Sequence, residues 1–264
     1  MNIFLHELRA YQKSIFIWAG SMAAIAVMYI LIFSGMSTDI ETFKNLLQSL
    51  PEVVKKLLSI YVESISTLEG FYSFVFVYIV LCGAIQAMNL GVSIVSKEVR
   101  DKTADFLLTK PVSRKEILTY KLLAAFASLA ITNIIYLLIT IPMTLTVKSE
   151  FSMKIFLMIS ATLFFVQLMF MALGVIVSVV AGKIKSVISI SLSTVFGFFI
   201  VSMLGSVIGD KAVRYISPFK YFDLTYIVKN AAYEPTFIII GIIFVVVAIA
   251  TSYVVYVKKD IHAV

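Results

Sequence analysis

Six apolar stretches, at roughly 15–35, 72–95, 122–147, 155–180, 187–208 and 236–257, dominate this chain. A helix rises about 1.5 Å per residue, so about 20 apolar residues cross the roughly 30 Å hydrocarbon layer of a bilayer. One soluble core could not hide six such runs, because hydrophobic residues make up 61% of the 264 positions and charged residues only 14%. Each run is longer than the roughly 9 to 11 alternating residues of a barrel strand, and a helix satisfies its backbone within one segment. The expectation is an all-α integral membrane protein: six transmembrane helices in a single domain, residues 1–264.

No small-residue cleavage site follows the first run, so it reads as a retained helix and not as a signal peptide. Ahead of it, Phe4, Leu8, Tyr11 and Ile15 recur at helical spacing, with Glu7, Arg9, Gln12 and Lys13 assigned to the other side. That pattern predicts an N-terminal interfacial helix over 2–13, with a straight continuation of the first span as the alternative. The sole cysteine, Cys82, lies inside the second run and reads as a packing residue; no intramolecular disulfide can form.

Orientation follows from lysine and arginine. With the N-terminus inside, the inner segments carry thirteen of these residues and the outer segments nine; the acidic residues divide six and nine. This places both termini in the cytoplasm, as a multi-pass protein of the plasma (cytoplasmic) membrane. Topology then accounts for the net charge of +7: the expected surroundings are membrane lipid, and a nucleic-acid partner is not required.

Two outer loops carry pattern of their own. In 36–70, Thr38 and Glu41 have capping-box spacing, and Ile40, Phe43, Leu47, Leu50, Val54, Leu57 and Tyr61 recur every three or four residues, predicting helices broken or bent near Pro51. They either cap the mouth of a pathway or pack on the bundle. The loop 209–235 is rich in Tyr and Phe and contains Pro218, which suits a short re-entrant or interfacial segment, or an anchoring belt.

Several chemistries are disfavoured. No apolar run has a Lys, Arg, Asp, Glu or His near its centre, as ion-coupled carriers and proton pumps usually do. His6 and His262 stand at opposite ends of the sequence, without metal-ligand or catalytic spacing. The phosphate loop Gly-x-x-x-x-Gly-Lys-Ser/Thr is missing: at Gly182-Lys183 the first glycine's place holds Val177 and the hydroxyl's place Ile184. The chain is therefore not expected to be an enzyme, and any uphill transport would draw energy through a partner. Polar residues inside the spans are few. Gln86, Asn89, Asn133 and Gln167 either hydrogen-bond between helices or line a substrate path, and Gln86 and Asn89 share a helix face.

Between the second and third runs lies a charged island, 96–121, holding 11 of the 37 charged residues in 26 positions. Val99, Thr103, Phe106, Leu107 and Lys110 fall on one helical stripe. Pro111 stops that helix, and Ser113 with Glu116 three residues later has the form of a capping box opening a second. Helix, break, helix at the membrane surface is the expected form. A merely topological basic loop would account for the lysines and arginines, but not for the interleaved acids, Pro111 or the cap.

The string Glu98-x4-Thr103-x3-Leu107-Leu108-x2-Pro111-Val112-Ser113-Arg114-x2-Ile117-x3-Lys121, set between two spans, resembles the permease subunits of type-2 ATP-binding-cassette (ABC-2) transporters. Lys102 departs from the glycine that many members have before the threonine, which bears on the local turn there. The resemblance extends over essentially the whole chain and implies a coupling helix in 96–121 that seats in a groove of a separate ATPase subunit. Carried over by position, the docking residues would be Thr109, Lys110, Pro111, Val112, Ser113, Arg114, Lys115, Glu116 and Ile117, with Arg114 and Glu116 as leading contacts. Lys183 and Lys185 would form a smaller second contact. The resemblance also implies a second permease copy, identical or a paralogue, and no cofactor in this chain, ATP and magnesium belonging to the partner. The expected activity is ATP-driven export of a hydrophobic or amphipathic substrate: peptide favoured, drug or lipid also of the right class. The alternative is a non-transporting membrane scaffold or sensor that binds a cytoplasmic partner.

Overall fold

A computed structural model describes residues 3–36, 40–57, 65–100, 112–147, 151–181, 184–209 and 211–258. Ten α-helices and one short 3-10 turn, with no strand, make up the regular structure of these residues. Six are long and apolar enough to cross a membrane: α1 (Ile3–Gly35), α4 (Leu68–Arg100), α5 (Arg114–Leu145), α6 (Met153–Val180), α7 (Val187–Ile208) and α10 (Pro235–Lys258). The shorter ones are α2 (Ile40–Gln48), α3 (Glu52–Leu57), α8 (Lys211–Ile216) and α9 (Leu224–Asn230), with a 3-10 turn at Pro218–Lys220.

The long helices run up and down. At one end, Lys121 at the start of α5 bonds to Glu7 near the start of α1 and to Ile94 near the end of α4. Thr119 there meets Tyr253 near the end of α10, hydroxyl to hydroxyl, at 2.7 Å. We refer to this as the terminal end. At the far end, the Glu69 carboxylate at the start of α4 accepts from the backbone N–H of Ser152, the N-cap of α6.

Packing grades outward. Among the spans α4 and α6 are the most buried, and they pair with each other more extensively than any other two helices; α1 packs chiefly on α5. In contrast, α7 and α10 leave Ile188, Ile200, Leu204, Ile242, Val246 and Val254 exposed. Large apolar side chains on an outer helix are stable where the surroundings are lipid.

The described residues of the segment expected as an interfacial helix over 2–13 form the start of a longer helix. Residues 3–13 continue without interruption into the first span, so α1 is one helix of 33 residues, about 50 Å long. Glu7, assigned to the polar side, is only 3% exposed. Phe4, Glu7, Tyr11 and Ile15 are spaced three, four and four apart, which places Glu7 on the inward stripe. Its carboxylate bonds to Lys121, which fastens this segment to α5.

Elsewhere the described loop residues follow the sequence pattern, while Thr38 of the expected capping box and Tyr61 lie outside the described residues. The chain breaks between α2 and α3 at Pro51, whose carbonyl accepts from the N–H groups of Val54 and Lys55 at 2.9 and 3.1 Å. Leu47 is buried, and the Phe43 ring lies 6.3 Å from that of Phe71. At the far end, Asp223 caps α9 by accepting from Thr225 and Tyr226. The aromatic loop folds back on the bundle: Phe222 stacks on Phe165 at 5.4 Å, and the Tyr233 hydroxyl donates to the Met158 carbonyl at 2.7 Å.

Candidate docking site and its support

Ser113 opens α5 with a complete capping box. Its hydroxyl accepts from the Glu116 N–H at 3.2 Å, and its own N–H donates to the Glu116 carboxylate at 2.8 Å. Two of the N–H groups that a helix start leaves unpaired are thereby satisfied. Such a cap contributes about 1 kcal/mol. Ser113→Ala is accordingly expected to accelerate amide hydrogen exchange over 114–117 about fivefold, read by mass spectrometry, while amides beyond the first turns keep wild-type rates.

The helix that begins here is not the short separate element expected from the island. It runs to Leu145, because nothing between Glu116 and Pro142 interrupts helix formation. Ser113, Lys115 and Glu116 are exposed, Val112 and Arg114 half-buried, and Ile117 fully buried. Ile117 thus anchors the helix inside this chain. Thr109, Lys110, Pro111 and the stripe from Thr103 to Lys110 lie outside the described residues, as does Lys183. Lys185 is exposed at the same end of the bundle, next to Ser186, which caps α7 by accepting from the Ser189 N–H at 3.3 Å.

Just behind the exposed tip sits a charged cluster that reading the sequence missed. Lys121, 1% exposed, donates to the Ile94 carbonyl at 2.6 Å and to Glu7 Oε1 at 3.3 Å. Lys97 approaches Glu7 Oε2 at 3.6 Å, and the Tyr11 hydroxyl meets the Ser93 hydroxyl at 2.9 Å. This ties α1, α4 and α5 together two helical turns from the cap. The available signal was the three-four-four spacing that carries Glu7 onto the stripe.

Deeper in the bundle, Gln86, Asn133 and Gln167 form one connected set. Gln86 donates to the Thr132 hydroxyl at 2.9 Å, Gln167 donates to Gln86 Oε1 at 3.0 Å, and Asn133 donates to Gln167 Oε1 at 2.6 Å. The three join α4, α5 and α6 and are nearly or fully buried, which is how amides stabilise helix contacts in hydrocarbon. Asn89, by contrast, is half-buried and stands apart from the set.

Among the described residues, no group of three His, Cys, Asp or Glu could hold a metal ion. What the terminal end offers is a capped, charged helix start fastened to α1 and α4. No curated protein matches the chain. The family model described as ABC-2 family transporter protein matches residues 1–261, and with nearly the whole sequence covered the chain belongs to that family.

Proposed function

We propose that the chain is the membrane-spanning subunit of an ATP-driven exporter, with both termini and the terminal end of the bundle in the cytoplasm. A separate ATPase subunit seats on 109–117, with 183–185 as a second contact, and a second permease copy completes the transporter. The observation that carries this reading is the clamp behind the cap: a push on Ser113–Glu116 reaches Lys121 within two turns and passes to α1 through Glu7 and to α4 through Ile94. A loose loop would dissipate the same push. The excess of lysine and arginine on this end supports the cytoplasmic assignment.

The favoured cargo is hydrophobic or amphipathic, with peptide ahead of drug or lipid, because the spans carry no mid-membrane charge to meet an ion or a highly charged glycan. Copurification with the ATPase subunit tests the docking part. Arg114→Glu should reduce recovery of the ATPase at least tenfold, and replacing Pro111–Ser113 by glycines should uncouple ATPase activity from transport. Undiminished binding and transport in both variants would remove the docking assignment. Stimulation of ATPase activity across a panel of amphipathic peptides, drugs and lipids tests the cargo, and no response to any peptide would remove the peptide preference.

A further inference from the structure

Toward the far end, the first part of α4, the middle of α6, the end of α7 and the loop through α8 and α9 line a partly open cavity of about 280 Å³, just under the range for small-molecule sites, about 300–1,000 Å³. Its walls are largely apolar and include Val77, Val166, Phe199, Phe219 and Phe222. Three of the five hydroxyl residues on the wall donate to the backbone: Ser73 to the Gly70 carbonyl, Thr162 to Ile159 and Ser206 to Ser202, with Ser202 and Thr225 completing the set.

Three charged residues line the cavity, and two are occupied. Arg214 is paired with Glu234, donates to the Lys220 carbonyl at 3.1 Å and lies 3.9 Å over the Phe237 ring. Asp223 is engaged as the cap of α9. Lys220 has no carboxylate within ion-pair distance of its ammonium among the described residues. Burial draws that ammonium below the ordinary lysine range; the Asp223 carboxylate opposes the effect and Arg214 adds to it. An acid brought to this position would gain a charge-assisted hydrogen bond in a poorly solvated place.

We propose that this cavity is a binding site for a small acidic amphiphile, its carboxylate or phosphate on Lys220 and its apolar body between α4, α6 and α7. The site stands independently of the transport reading, since binding is measured on the full chain alone in nanodiscs of neutral lipid. The probe is a decanoic acid carrying a photoreactive diazirine on its chain, with labelled peptides mapped by mass spectrometry. Labelling is expected within 199–225, with at least a fivefold loss in Lys220→Gln and retention in Lys220→Arg. Unlabelled decanoate or decyl phosphate should compete, and the stronger of the two identifies the headgroup. Decanol and inorganic phosphate should not. The assignment fails if labelling falls elsewhere, if Lys220→Gln labels like wild type, or if decanol competes as well as decanoate. Competition by inorganic phosphate alone equally removes the amphiphile. Should Lys220→Gln misfold, the arginine variant and the wild-type competition arms still decide.

Discussion

Replacing Lys121 by methionine is expected to be among the most damaging single changes in this chain, lowering stability by about 3–5 kcal/mol, the cost of leaving one member of a buried ion pair alone. Methionine fills nearly the same space, so the loss is electrostatic: among the described residues the Glu7 carboxylate, 3% exposed, keeps only Lys97 at 3.6 Å. The double variant Glu7→Leu, Lys121→Met should recover most of the loss, because an apolar pair of similar volume carries no desolvation penalty. Lys97 is 28% exposed along its side chain and can turn to water when its partner goes. Unfolding by sodium dodecyl sulfate in mixed micelles, followed by circular dichroism, measures the series. A single variant as stable as wild type, or a double variant worse than the sum of the two singles, would show that the cluster does not fasten the three helices.

The same cluster marks where reading the sequence stops. Span existence was legible because length and apolarity alone decide it: the fourth span, expected at 155–180, is Met153–Val180. The start of α5 was legible because a capping box is local, with Ser113 and Glu116 three residues apart. The break at Pro51 is equally local. Glu7 was misassigned because its residue type was given more weight than its spacing, and the partner that makes its burial tolerable lies 114 residues away. The continuity of α1 was hidden for a related reason. A helix set apart from the first span and one continuous with it share the same local pattern, and the contact with α5 accompanies the continuous form. For Gln86, Asn133 and Gln167 the residue types announced that hydrogen bonds were needed, but their mutual arrangement depends on how α4, α5 and α6 pack.

Gly91 and Gly174 should tolerate side chains least of the glycines in the spans, because the neighbour each would strike is backbone. A Cβ at Gly91 would fall 2.3 Å from the Met171 carbonyl oxygen, and one at Gly174 would fall 2.7 Å from the Met88 oxygen and 2.9 Å from the Val92 nitrogen. No rotamer change relieves such a clash, so α4 and α6, the most extensively packed pair, must move apart. Small residues permit this close approach, and close approach is the main source of helix attraction where water drives nothing. Gly91→Leu is expected to abolish recovery of folded protein. Gly91→Ala and Gly174→Ala should each cost about 1–3 kcal/mol or more, the usual penalty of overpacking. Gly83→Ala should be milder than either, since its Cβ would meet first the Leu163 Cδ1 atom, the movable end of a side chain, at 2.4 Å. Gly20→Ala and Gly197→Ala meet nothing within 4 Å and should be neutral, or stabilising by about 0.5–1 kcal/mol through helix propensity. Detergent unfolding of the five alanine variants gives the order directly. If Gly20→Ala is as costly as Gly91→Ala, the effect belongs to glycine in general; if only the residues at the α4–α6 contact lose stability, the contact itself holds the centre of the bundle together.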